Sequence, residues 1–324
     1  LGKRHDYFDE YVNRSTIRRV AEKCYLPMNQ LVMDMIQRYG ANFKVSFSIS
    51  GSALEQFALH APEVIESFQK LAKTGCVEFL AETYAHSLAS LSDTDEFERQ
   101  VRRHVARMEE LFGQKPVTLR NSSLIYSDQI GERVAAMGFE SMLTDGAKHV
   151  LGWKSPNFVY TNVMNPRLKL LLKNSRLSDD LTLRFSDHSW HEWPLTADKY
   201  ARWLKDSTRD REIVNLFMNY ETFGENQLAE TGIFEFMRSL PEFIFSTTDF
   251  EFLTPSEAVK KHQPVAPLHV PYPISWADEE KDITGWLGNE LQNEAFEELF
   301  KIQPDRKSTR LNSSHLAISY AVFC

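Results

Sequence analysis

The stretch Asn215-Leu-Phe-Met-Asn-Tyr-Glu-Thr-Phe-Gly-Glu-Asn-Gln227 decides how this chain is read. It opens inside a strand-like run, Ile213 to Met218, and then turns polar and aromatic at Asn219, Tyr220 and Glu221. Asn219 and Glu221 are two positions apart, so on an extended strand they share a face. Outward from this stretch, strand-like and helix-like segments alternate. Val45-Ser-Phe-Ser-Ile-Ser50 alternates apolar and polar residues before Gly51. Cys76-Val-Glu-Phe-Leu-Ala-Glu-Thr83, Val117 to Asn121, Ser141 to Thr144, Leu181 to Phe185 and Phe250 to Leu253 complete the expected strands. Helical patterns fall at Arg14 to Tyr39, Pro62 to Thr74, Asp95 to Phe112, Asp128 to Met137, Ala197 to Lys205 and Gly232 to Leu240. In Asp95 to Phe112, Phe97, Val101, Val105 and Met108 form an apolar stripe.

Strands separated by helices imply a parallel sheet. An open doubly wound sheet would usually carry a Gly-rich phosphate turn, and this sequence has none. The expected fold is therefore α/β, a closed barrel filling residues 1–260. Gly146 to Asp179 reads as an insertion over one barrel mouth, where loops carry function. Pro264, Pro267, Pro271 and Pro273 mark a linker, and Trp276 to Ile302 reads as the start of a helical region, so residues 261–304 form a second unit. In residues 305–324, Asp305-Arg-Lys-Ser-Thr-Arg-Leu-Asn-Ser-Ser-His315 and Ile318-Ser-Tyr-Ala-Val-Phe-Cys324 resemble the two ends of a translated sequencing adapter. That tail is expected to be non-native and to lie outside the fold.

The chain has 324 residues, 42% hydrophobic with 22 Phe, enough to fill a large core. A net charge of −8 without a dense basic run argues against a nucleic-acid partner. No window approaches about 18 consecutive apolar residues, so no membrane-spanning helix is expected. With the tail's Cys324 set aside, Cys24 and Cys76 are the only cysteines, which points to a reducing, cytoplasmic setting. His188 and His191 have no third ligand arranged with them, so neither a metal nor any other cofactor is expected.

Several segments together resemble glycoside hydrolase family 57, in its α-amylase-like branch: Cys76 to Tyr84, Leu119-Arg-Asn-Ser-Ser-Leu-Ile-Tyr126, Ser155-Pro-Asn157, Leu177-Ser-Asp-Asp180 and Tyr220-Glu-Thr-Phe-Gly-Glu225. The resemblance covers nearly all of residues 5–302. It implies an irregular (β/α)7-type barrel, here lacking its first strand, followed by the start of a helical region, and an α-1,4-glucan or maltooligosaccharide as partner. The family's Arg-Asn-Thr-Glu-Leu-Ile-Tyr carries the nucleophile, and its position here is Ser123. The family's Met-Asp-Tyr-Glu carries the acid/base, and its position here is Asn219. The family's first-strand His-Gln-Pro is expected before Leu1; His262-Gln-Pro264 has the same letters after the barrel and reads as coincidence.

A retaining glycosidase needs two carboxyls about 5–5.5 Å apart. A serine hydroxyl without a general base is a poor nucleophile, and an asparagine amide gives up no proton as an acid. The sequence thus predicts a catalytically degenerate homologue that binds α-glucan. One alternative is an active α-glucan hydrolase or 4-α-glucanotransferase using relocated carboxylates such as Glu221 or Asp180, with Asp145, Asp179 and Glu82 as further candidates. Another is a non-catalytic structural partner of a glycogen enzyme. Glu78 and Glu82, four apart on one strand, face one side and are expected to bond sugar hydroxyls; a buried structural role is the competing reading. His86 resembles a sugar-contacting histidine, and Trp153, Trp190 and Tyr220 offer flat faces for sugar rings. Trp193 and Trp203 fit packing equally well.

Overall fold

Short strands carry the architecture of this computed structural model, which describes residues 9–92, 94–208, 212–306 and 321–323. They are β1 (Val45–Ile49), β2 (Val77–Phe79), β3 (Thr118–Arg120), β4 (Ser141–Asp145), β5 (Tyr160–Asn162), β6 (Lys169–Lys173), β7 (Met218–Asn219), β8 (Ala266–Leu268) and β9 (Ala321–Phe323). Two sheets run in the orders β2-β1-β9-β7 and β3-β4-β6-β5-β8. Isolated parallel bridges join them at both ends, Ala81 to Leu119 and Lys173 to Asn215. The result is a ring, β1-β2-β3-β4-β6-β7-β9, in which β1/β2, β3/β4 and β4/β6 pair in parallel. This is the α/β barrel architecture expected of a (β/α)7-type chain.

Period-two alternation sorts the barrel side chains. Phe47 points outward, where its ring meets Phe68, Phe79 and Tyr220 at 5.1, 6.0 and 5.2 Å between centroids. Burying one such side chain is worth about 1.5–3 kcal/mol. The inward positions stack in layers. At the amino-terminal ends, the Thr118 hydroxyl donates to Glu78 at 2.8 Å and bonds Ser141 at 2.8 Å. Above them Leu80, Leu143, Leu171 and Phe217 form a buried apolar layer. At the carboxyl ends the next inward positions are polar again: Glu82, Arg120, Asp145, Lys173 and Asn219. Helix Pro255–Lys261 plugs the lower end; its Ser256 amide donates to Glu78 at 2.9 Å.

Several elements differ from the sequence reading. Leu181 to Phe185 is no strand; helix Ser175–Thr182 runs into it, capped by the Asn174 side chain on the Leu177 amide. Phe250 to Leu253 forms no strand. The missing barrel strand is β6, inside the segment read as an insertion. Its Leu170, Leu171 and Leu172 are buried on both faces, so no alternation advertises it. Trp276 precedes rather than joins the helices Thr284–Leu287 and Glu290–Arg306. Most of residues 305–324 lie outside the described residues. Ala321–Phe323, however, enter the ring as β9, antiparallel to β1 and β7. Strand pairing uses main-chain groups, so an adapter-like sequence does not prevent it.

Candidate active site

The polar layer at the carboxyl ends of the strands is built around a buried ion pair. The Arg120 guanidinium donates to Glu82 at 3.1 Å, with the side chains 1% and 0% exposed. The Glu82 amide donates to His104 Nδ1 at 3.3 Å, and His104 Nε2 bonds the Ile49 carbonyl at 2.8 Å, which holds the ring neutral with its proton on Nε2. His86 Nδ1 lies 3.5 Å from the same Glu82 carboxylate. Burial alone would raise the Glu82 carboxyl, but His86, Arg120 and His104 outweigh it and hold it below the usual range. Burial pushes the His104 imidazole down, so it stays uncharged.

Across the mouth, Lys173 at the end of β6 donates to Asp179 at 3.0 Å. Asp145, ending β4, accepts from the Ser175 hydroxyl at 3.2 Å. Burial raises the Asp145 carboxyl, and Lys173 and Lys281 only partly offset it. Trp276 covers this layer: its ring centroid is 5.0 Å from the Arg120 guanidinium carbon and 5.0 Å from Lys173 Nζ.

Ser123 follows β3 on a one-turn 3-10 helix, Ser122–Leu124, with φ 49° and ψ 31°. Its carbonyl accepts from the Trp276 amide at 3.1 Å and from the Ser275 hydroxyl at 2.9 Å. A left-handed serine costs roughly 1–2 kcal/mol, and such strain clusters at functional sites. His86 shares it, with φ 50°. Asn219 ends β7, across the β4 and β6 ends from Ser123. Glu82 Oε1, Arg120 Nε and Asn219 Oδ1 are buried with no hydrogen-bond partner among the described residues. Each such group costs about 1–3 kcal/mol until something bonds it; Glu82 and Arg120 are closed to a ligand in this conformation, whereas His86, Asn219 and Trp276 are half-buried.

The structure thus gathers Glu82, His86, Ser123 and Asn219 at the mouth, with Asp145 and Asp179 of the further candidates. Glu221 lies just behind Asn219, where it accepts a hydrogen bond from the Tyr25 hydroxyl. Glu78 is at the opposite end of the barrel, tied to Thr118 and Ser256. Tyr220 is fully buried, its hydroxyl donating to Asn29 at 2.6 Å, so no face is open to a sugar. Trp153 is 94% exposed on the turn that follows β4 and the short helix Lys148–Leu151. Asp180 and Trp190 lie together in a different cavity, with Arg184 bonding Asp180 at 2.7 Å. Arg120, Lys173, His104 and Trp276 were not singled out from sequence. Arg120 sits inside the segment Leu119 to Tyr126; Lys173 and Trp276 lie in segments that read as an insertion and as the start of a helical region.

Fold and mouth together define an α/β barrel with polar groups delivered by the carboxyl ends of several strands. The chain belongs to glycosyl hydrolase family 57, whose family model matches residues 2–271. It is 43% identical over 296 residues to a Methanocaldococcus jannaschii protein named "Putative alpha-amylase", covering 90% of this chain and 62% of that protein. Two solved structures share the fold. The 4-alpha-glucanotransferase from Thermococcus litoralis matches 92% of this chain and 44% of its own, at a TM-score of 0.68 and 15% identity. The family 57 branching enzyme from Thermococcus kodakaraensis matches 92% of this chain and 75% of its own, at 0.70 and 12% identity. Among the described residues, no helix is long and apolar enough to cross a membrane.

Proposed function

We propose that this chain is an α-amylase-like member of family 57 that binds α-1,4-glucan or maltooligosaccharide at the barrel mouth without hydrolysing it. The observation that carries the reading is the pair Ser123 and Asn219 at strand ends where the retaining mechanism needs two carboxyls. The other carboxylates support it, because each is engaged. Glu82 is held by Arg120, Asp179 by Lys173, Asp180 by Arg184, and Glu221 by Tyr25. Binding is supported by the half-buried His86 and Asn219 at the mouth and by the half-buried Trp276 above the Arg120–Glu82 pair. Cytoplasmic residence is part of the same reading, from two free buried cysteines.

A second reading, hydrolysis or glucan transfer through relocated carboxylates, is favoured by Asp145, which ends β4 at the mouth and whose carboxyl burial raises, whereas Asp180 lies in a separate cavity. The rescue Ser123→Glu with Asn219→Asp separates the two. If the scaffold keeps the family's geometry, the double variant releases maltooligosaccharide ends from starch. Each single change stays near background, since nucleophile and acid/base act as one unit. A wild-type chain as active as the double variant would favour relocated carboxylates. A chain with no affinity for glucan would favour a structural partner of a glycogen enzyme.

A further inference from the structure

The cavity that holds Asp180 and Trp190 shares no lining residue with the barrel mouth. It measures about 700 Å³ and lies between helix Ser175–Thr182, the loop after it and helix Ala197–Ser207. Trp190 and Trp203 meet in it edge to face, centroids 5.9 Å apart and planes at 74°. The two indoles form an aromatic corner rather than a flat stack. Both are half-buried, so each is fixed by packing while keeping surface towards the cavity.

Polar groups surround this corner in compensated pairs. Arg184 bonds Asp180 at 2.7 Å, and Lys199 bonds Glu192 at 2.6 Å. Arg176 and Asp206 on the rim add one charge of each sign. With Lys199 counted, the formal charges named here balance, so they offer no surplus of positive charge for a phosphate or a carboxylate. Carboxylates and guanidinium groups already neutralised by a neighbour still bond hydroxyls. Indole faces take the C–H faces of a sugar ring, since they are large, rigid and apolar. An aromatic corner ringed by neutralised donors and acceptors matches an uncharged polyhydroxylated ring.

We infer that this cavity is a second carbohydrate site, taking two or three units of a neutral α-glucan on Trp190 and Trp203, with Asp180, Arg184 and Arg176 bonding the hydroxyls. Its chemical class of ligand rests on the glucan reading proposed above, but its location does not. Among the described residues, the site holds no nucleophile arranged with a base, so its work is retention: it keeps a long chain on the protein while another stretch lies in the mouth.

Titrating the full chain with maltohexaose, followed by calorimetry and tryptophan fluorescence, tests this. The variants are Trp190→Leu, the milder Arg176→Ala on the exposed rim, and Trp276→Leu at the mouth. The expected result is that Trp190→Leu and Arg176→Ala each weaken one binding event, Trp190→Leu by about tenfold, the scale of one aromatic contact. A second event, sensitive to Trp276→Leu, stays unchanged. Binding removed by Trp190→Leu but indifferent to Trp276→Leu supports the second site and removes the mouth. Binding removed by Trp276→Leu and indifferent to both outer variants overturns the second site and leaves the mouth. Glucose 1-phosphate bound at Trp190 more tightly than maltohexaose overturns the neutral-ligand assignment, and absence of any maltohexaose binding overturns both sites.

Discussion

Arg120 and Glu82 are the residues on which the mouth rests, and the pair is nearly sealed from water. Removing one partner of a buried pair leaves an uncompensated charge, at about 3–5 kcal/mol. Arg120→Met is therefore expected to lower the free energy of urea unfolding by that amount, and adding Glu82→Leu should restore much of it. A loss under about 1 kcal/mol in the single variant would mean that the charges are hydrated in solution. Ser123 and Asn219 were legible in the sequence because they interrupt long, specific motifs. Arg120 and Lys173 were not: an inward-facing cation reads from sequence like any surface cation, and only ring closure turns it towards the mouth.

At the scale of elements, the loop Tyr220 to Gln227 leans on helical residues 21–25, a π-helical turn within one continuous helix. Gly224 permits the contact. Its φ is 106°, and a Cβ there would lie 2.0 Å from the Lys23 carbonyl oxygen. Gly224→Ala should cost more than the ordinary surface range of about 0.5 kcal/mol, read as a lower urea midpoint at unchanged slope; an unchanged midpoint would mean the loop stands off the helix. Helix Thr94–Phe112 is keyed to the barrel by His104. Its folded pKa is depressed by burial, so the unfolded chain binds the extra proton first. That contribution is present above the unfolded histidine value of about 6.5 and is lost as pH falls below it. Wild type should therefore lose more stability between pH 7.5 and 5.5 than His104→Gln does, and equal losses would contradict a neutral buried His104. The long helices were legible because their apolar stripes are sustained and capped. Strand β6 was not, because a run of leucines buried on both faces carries no period. Leu181 to Phe185 misled for the opposite reason: its alternation is strand-like, while the Asn174 cap had already started a helix.

Over the whole molecule, ring closure depends on β9, whose short antiparallel pairing joins β1 to β7. Deleting Asp305 to Cys324 should expose both edges and lower the thermal midpoint, whatever the origin of that sequence; an unchanged midpoint would show that these pairings contribute nothing. The barrel class itself was legible, since strand and helix patterns alternate along most of the chain. The second cavity was not, because Trp190 and Trp203 are brought together by the packing of separate elements. The central claim joins a glucan-binding mouth to lost chemistry, and it meets its most direct test in the release of reducing ends from maltohexaose at concentrations that saturate the unmodified chain. The account predicts saturable binding with release no faster than background; turnover of about 1 s⁻¹ or more, within the ordinary enzyme range, would contradict it.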